Sequence, residues 1–416
     1  MSKNMNIPKL RFSEFSGEWE EKRIGECIEL LTDYHANGSY EKLKENVELL
    51  DTPNFAIMIR TTNFEQNDFI KNLIFITEDA YDYLKKSKVY EDDIIINKIA
   101  NAGATYIMPK IEQPVSLGMN IFLLRAKSAI NKKFLFSKIK WEEYRLKALS
   151  SGTSTKTITK DDVRSFKLNL PSKPEQEKIA SFLTSVDTKI EQLTKKEILL
   201  QEYKKGVMSK IFSQEIKFKN DDGIEFPEWK KKRLEDVFYS EKGKGISKNQ
   251  VVENGRNECI LYGELYTQYN EVIFGIVSKT NFEDGIKSEI GDLLIPSSTT
   301  TTGIDLANIT ALNKANVLLG GDITVLRSKE PTNNIFYAYY LTNFKKNEIA
   351  SYAQGSTIVH LYYNLIKDML IDFPYIEEQT KIANFLSSID KKIDLTAKEL
   401  NYTKEFKKAL LQQIFV

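Results

Sequence analysis

Glu91, Asp92, Asp93 and Lys98 in the stretch EDDIIINK place carboxylates and an amine around one apolar run. Such a set can hold a divalent cation and polarise a phosphate oxygen, which is nuclease chemistry. Strings of acid, strand and lysine are common, and the edge of a strand is the better reading of this one. Other catalytic chemistry has less support. EKGKGISKNQ at 241–250 carries glycines and lysines at the wrong spacing for a phosphate-binding loop, and no G-x-G-x-x-G or G-x-S-x-G is present. The Asn/Asp-Pro-Pro-aromatic signature of amino-methyltransferases is absent too. His35, His360, Cys27 and Cys259 sit in unrelated contexts that fit no zinc spacing, and the two cysteines are expected to be reduced, packed thiols. A non-enzyme is the expectation.

Binding chemistry is better represented. LSSGTSTKT (149–157), IPSSTTTTG (295–303) and AQGST (353–357) are rich in glycine and hydroxyls, which let backbone N–H and O–H groups approach phosphate oxygens or base edges. A plain polar loop is the competing reading for each. Lys230, Lys231, Lys232 and Arg233 form a basic run beside Trp229, and Lys156, Lys160, Arg164 and Lys167 a second, tempered by Asp161 and Asp162. Either run alone reads as a solvated face. The net charge of +1, from 59 Lys+Arg and 58 Asp+Glu, neither demands nor excludes nucleic acid.

The elements that would position these loops are set by a repeat. Residues 171–212 align without a gap on 374–415 at an offset of 203: LPSKPEQEKIASFL over FPYIEEQTKIANFL, and EYKKGVMSKIF over EFKKALLQQIF. Asp187 falls on Asp390 and Lys189 on Lys392; upstream, SGTSTKTI (151–158) lies over QGSTIVHL (354–361). SGEWEEKRIGE (16–26) resembles FPEWKKKRLED (226–236), placing Trp19 on Trp229. The stretches between, roughly 27–150 and 237–353, show little similarity.

In the repeated segments Ile179, Leu183, Val186, Ile190, Leu193, Leu200, Val207 and Ile211 follow alternating steps of four and three, as do Ile382, Leu386, Ile389, Ile393, Leu400, Leu410 and Ile414. Glu197, Lys204, Thr396, Thr403 and Lys407 interrupt the pattern. A 3.5-residue period marks a coiled-coil seam. Each segment is a rod of roughly 60 Å whose nearest cover is the other copy, packed antiparallel. NFAIMIRTTNF, KNLIFI, DDIIINKI, GMNIFLLRA, NECILYGEL, EVIFGIV, GDLLIP and DITVLRS read as strands, and KKFLFSKIKWEEYRLKAL and NIFYAYYLTNF as helices. Thr159 and Asp162 form a capping-box start. The fold class is α+β: two globular domains with small sheets, separated by two long helices pairing as an antiparallel coiled coil, with an internal pseudo-twofold repeat. The composition, 41% hydrophobic and 28% charged, is ordinary for a globular chain. No run of about 18 apolar residues indicates a membrane span. MSKNMNIPKLRFSEF lacks a secretory apolar core, so a cytoplasmic protein is expected.

The doubled helix phrase, each copy preceded by a Gly-Ser/Thr loop, resembles the conserved regions of type I restriction-modification specificity subunits, over essentially the whole chain. The resemblance implies a target-recognition domain with its N-terminal arm at 1–170, a helical spacer at 171–215, a second recognition domain at 216–373 and a second spacer at 374–416. Each recognition domain would read half of a split, asymmetric site on double-stranded DNA. The spacers would set the gap between half-sites and dock two methyltransferase subunits, with Ile179, Leu183, Val186, Ile190, Ile382, Leu386, Ile389 and Ile393 as coiled-coil or partner-binding residues. Cofactors would belong to partners: S-adenosylmethionine to adenine-N6 methyltransferases, ATP and Mg²⁺ to motor-nuclease subunits, with none in this chain. The alternative is a coiled-coil scaffold that never touches DNA.

Candidate DNA-binding residues follow from the loops and strand ends. In the first half they are Arg60, Thr61, Asn97, Lys98, Ser151, Thr153, Ser154 and Lys156. In the second they are Tyr262, Ser297, Ser298, Thr299, Ser356, Thr357 and His360. Arg60 is suited to guanine and Asn97 to adenine.

Overall fold

A computed structural model describes residues 6–152 and 155–415. The chain forms two compact units, one from Met1–Leu193 and Glu399–Val416, the other from Thr194–Lys398. Each unit owns part of both long helices, Lys173–Phe212 and Ile376–Ile414.

In the first unit a short strand, Glu20–Arg23, pairs antiparallel with Lys167–Leu170. A four-stranded antiparallel sheet runs in the order Ile28–Asp33, Ile121–Ala126, Ile94–Asn97, Thr105–Ile107. A second sheet runs Ile74–Ile76, Ala56–Ile59, Val115–Leu117, Lys88–Val89, its central pair parallel. The central strand IIIN has no polar alternation because both its faces are covered. Ile94 and Ile96 share a core with Phe134, Leu135 and the long helices, while Ile95 shares another with Ile59, Val115, Leu117 and Leu123. Thr159 and Asp162 make the expected capping box.

The second unit repeats this plan. Lys230–Arg233 pairs with Leu370–Phe373, and Phe238–Lys242, Ile323–Ser328, Asp292–Pro296, Thr310–Leu312 and Val272–Ile273 form the larger sheet. The smaller sheet runs Ser278–Thr280, Asn257–Ile260, Leu318–Leu319, Ile286–Lys287. Leu293 and Ile295 belong to the core that includes the helices, while Leu294 belongs to one with Ile260 and Leu319.

The long helices pair antiparallel along the seam that their period marks. In the first unit Ile179, Leu183, Val186 and Ile190 share a core with Leu410, Ile414 and Phe415. In the second, Val207 and Ile211 share one with Ile382, Leu386, Ile389 and Ile393. Two of the seam's polar interruptions are accommodated rather than exposed. Lys204 Nζ lies 2.9 Å from Glu271 and 2.7 Å from Asp390, and the Thr396 hydroxyl donates to the Lys392 carbonyl.

The repeated Glu-Gln pair has a job in each unit. Glu175 accepts from Trp19 Nε1 at 3.3 Å and Glu378 from Trp229 Nε1 at 2.9 Å. Gln176 and Gln379 each donate to the proline carbonyl five residues back and accept from the backbone N–H of Asn131 and Asn333. These asparagines cap the helices that begin at Lys132 and Asn334. Aromatic rings close the joint: Phe134 lies 5.9 Å from Trp19 and 5.8 Å from Phe415, and Phe336 lies 5.8 Å from both Trp229 and Phe212. Cys27 and Cys259 are free and buried, and burial pushes both thiols up to about 11.

Candidate nucleic-acid interface

In each unit three chain segments converge on one glycine turn. In the first, the Gly118 N–H donates to the Ile59 carbonyl and the Lys98 N–H to the Asn120 carbonyl. A Cβ on Gly118 would stand 2.5 Å from the Ile59 oxygen, so only glycine allows this approach. In the second unit the Gly320 N–H donates to Ile260 and the Ser297 N–H to Asp322. Asn120 and Asp322 both adopt positive φ, 67° and 59°.

A small hairpin is clasped onto this turn. Ser151 and Thr157 exchange backbone hydrogen bonds of 3.0 and 2.8 Å, and the Ile158 N–H donates to Lys98 at 3.0 Å. At an offset of 203, Gln354 and His360 exchange bonds of 2.9 and 2.7 Å, and the Leu361 N–H donates to Ser297 at 3.0 Å. Gly152 and Gly355 supply the left-handed corners at φ +124° and +120°. These loops are held by backbone, which leaves their side chains free to differ.

The candidate residues fall around this frame in equivalent places. Arg60 and Thr61 leave one strand of the smaller sheet where Leu261 and Tyr262 leave its counterpart: the N–H of Arg60 bonds Asn63 and that of Leu261 bonds Glu264, both at 2.9 Å. Arg60 Nη2 donates to the Asn72 carbonyl, and its Nε is buried without a partner. Asn97 is fully buried, its Nδ2 3.5 Å from Glu65 and its Oδ1 unpartnered. Lys98 lies 3.7 Å from Asp33, which Lys160 also meets at 2.8 Å. Ser151 and Lys156 are exposed; Thr153 and Ser154 lie outside the described residues. Tyr262 lines a cleft of about 980 Å³ with Ser247, Lys248, Gln268, Gly321 and Asp322.

The hydroxyl run at 297–299 is placed differently from its polar look. Ser297, Ser298 and Thr299 are buried, bonded to Thr324 (2.8 Å), Asp322 (3.1 Å) and Thr301 (2.8 Å). Ser298–Thr299 forms a strand against Val359–His360. Ser356 and Thr357 are exposed on the hairpin, and His360 is half-buried at its base. The basic run Lys230–Arg233 is one strand of a two-stranded pair, with Lys232 bonded to Glu330 and Arg233 3.3 Å from Asp368.

The turn itself is what sequence reasoning missed, and a signal for it exists. LGMNIFLLRAK (117–127) lies over LGGDITVLRSK (319–329), inside stretches that otherwise share little. The arginine of this phrase explains the acidic string. Arg125 grips Asp93 with bonds of 2.9 and 2.6 Å, and Arg327 grips Asp292 with bonds of 3.0 and 3.3 Å. Burial opposes the charge on Arg125, yet the bonds to Asp93 hold its guanidinium above the ordinary value. Asp92 occupies a left-handed turn at φ 65°, where the other unit has Gly291 at 90°. Asp92 and Asp93 thus have structural roles, and among the described residues no group of three His, Cys, Asp or Glu side chains is placed to hold a metal. No helix of the described residues is long and apolar enough to cross a membrane.

Comparison with known proteins agrees with this doubled frame. The Type I restriction enzyme MjaVIII specificity subunit of Methanocaldococcus jannaschii is 23% identical over 98% of this chain and 95% of its own length. The putative type I restriction enzyme MjaX specificity subunit of the same organism is 24% identical over the same shares. In fold, the chain is similar to the crystal structure of the type I restriction-modification S subunit from M. genitalium, with a TM-score of 0.62 at 17% identity over 98% of this chain and 99% of that one. The sequence matches the family described as Type I restriction modification DNA specificity domain over residues 16–201 and 227–404. With one such domain in each half, the chain belongs to the family of type I restriction-modification specificity subunits.

Proposed function

We propose that this chain is the non-catalytic DNA-reading subunit of a type I restriction-modification complex in the cytoplasm, and that each unit reads one half of a bipartite, asymmetric site. The observation that carries this is the glycine-turn clasp, built twice with the same backbone bonds but different side chains. Lys98, Lys156 and Arg60 border it in one unit, and Ser297, His360 and Tyr262 in the other. A common frame with unlike contact residues is what reading two different half-sites requires.

The paired long helices join the two readers and offer two equivalent surfaces to two methyltransferase subunits. Chemistry is assigned to those partners: methyl transfer from S-adenosylmethionine to adenine N6, and ATP- and Mg²⁺-dependent cleavage by motor-nuclease subunits. Exchanging residues 27–150 for the matching segment of another family member tests the reading. Mapping methylated adenines should show one half-site altered and the other retained; a change in both would refute the two-reader arrangement. A scaffold without DNA binding is the competing reading. It would be favoured if the chain, assembled with its methyltransferase subunits, shifted no specific duplex at low salt.

A further inference from the structure

The hairpin of the second unit carries an aromatic pair that the first unit lacks. His360 and Tyr362 lie with ring centroids 5.4 Å apart and planes inclined by 14°, and Tyr362 Oη stands 3.0 Å from His360 Nδ1. At the equivalent bridge position the first unit has Thr157. Val359 packs against the core, so the alternation of the strand turns half-buried His360 to the opposite face. There it stands directly across from Ser298, whose hydroxyl donates to Asp322 at 3.1 Å. Asp322 belongs to the glycine turn and lines the 980 Å³ cleft with Tyr262. Imidazole and serine hydroxyl therefore share one face of the strand pair, the hydroxyl tied to a carboxylate that lines that cleft, and Tyr362 is 42% exposed.

The hydrogen bond orients the imidazole ring. Of the two arrangements this bond allows, the one with the Tyr362 O–H donating to Nδ1 places the imidazole proton on Nε2 and makes it an oriented donor. We propose that His360 is a specificity-determining residue, its Nε2–H reading the O6/N7 edge of a guanine in the half-site bound by the second unit. Tyr362 is the positioning residue that holds the tautomer. The inference rests on the DNA-reading function above. A donor at this place suits the acceptor edge of guanine and conflicts with cytosine, which presents an amino donor in the major groove.

The test uses the full chain assembled with its methyltransferase subunits, and selection from a duplex library randomised at every half-site position. The wild-type complex is expected to enrich a bipartite site with a guanine at one position of the second unit's half. His360→Ala should lower the preference for that guanine by about 5- to 10-fold, leaving the other positions unchanged. His360→Gln, whose amide nitrogen can occupy the place of Nε2, should retain most of it. Tyr362→Phe should weaken it while His360 remains. An unchanged preference in His360→Ala would overturn the proposal. So would a uniform loss across all sequences with a shallower salt dependence, which identifies a phosphate contact instead. The hairpin is closed by backbone bonds, so unchanged thermal unfolding and partner assembly verify that each variant is folded. A wild-type complex that enriches no sequence is a separate result, and it would overturn the DNA-reading function itself.

Discussion

Lys204 Nζ lies 2.7 Å from Asp390 Oδ1, joining the C-terminal half of the first long helix to the N-terminal half of the second. At an offset of 203 the same two residue types meet again, Lys407 standing 2.5 Å from Asp187. The settings differ. Lys204 is 12% exposed and also bonds Glu271, whereas Lys407 and Asp187 are 31% and 51% exposed. Lys204→Met should therefore strand two carboxylates and cost about 3–5 kcal/mol, while Lys407→Met should cost about 1 kcal/mol or less. Urea unfolding of the two variants checks the ranking, and equal losses would contradict it.

Phe415 closes the aromatic joint of the first unit against Trp19, Phe134 and Trp141. Phe415→Ala should cost about 3–5 kcal/mol. The loss should fall on the first unit, so hydrogen exchange should accelerate at Ile94–Ile96 and not at Leu293–Ile295.

Glu378 gives the second unit a pH dependence. Burial pushes its carboxyl above the ordinary 4.5, opposed by the Trp229 hydrogen bond and by Lys217. A folded value above the unfolded one means the stabilisation is whole below pH 4.5 and is lost as pH rises through the folded value. Glu378→Gln keeps an acceptor for Trp229 and removes the titration. Its stability relative to wild type should improve between pH 4.5 and 7, as read by denaturation at both pH values.

Gly355 sits at φ +120°, and a Cβ there would run into the Ile358 carbonyl oxygen. Gly355→Ala should strain the hairpin by about 1–3 kcal/mol. The expected outcome is weaker discrimination at one half-site with methyltransferase assembly intact, measured by competition gel shift and size-exclusion chromatography.

The long helices pass from one unit into the other between Leu193 and Thr194 and between Lys398 and Glu399. Inserting one heptad after Lys195 and another after Lys398 keeps the seam in register and lengthens each rod by about 10 Å. The half-site gap should grow by about three base pairs, read from the pattern of methylated adenines. An unchanged gap would mean that the helices do not set it.

Much of the frame was legible because it is written twice. The 3.5-residue period named the seam, and the overlay of 151–158 on 354–361 located both hairpins. The glycine turns were harder to see, since what the halves share there is a backbone path and a single short phrase. The structural role of the acidic string could be expected but not its partner, because Arg125 lies 32 residues from Asp93 in sequence. SSTTTTG looked like an open loop, yet Ser298 and Thr299 continue into a strand whose mate is some 60 residues away. Polarity marks a loop only where no distant strand claims it.

The division of the helices also bears on how the chain folds during synthesis. The second unit is one contiguous stretch, Thr194–Lys398, and has all its parts once that stretch has left the ribosome. The first unit must wait for Glu399–Val416 to bring Leu410, Ile414 and Phe415 to a core laid down by Trp19 and Phe134. The half made first is thus completed last, closing a very long loop late in folding, which is entropically slow. Until Leu410, Ile414 and Phe415 emerge, the apolar stripe of Ile179, Leu183 and Val186 stays open, and the newborn chain is exposed to aggregation in that interval.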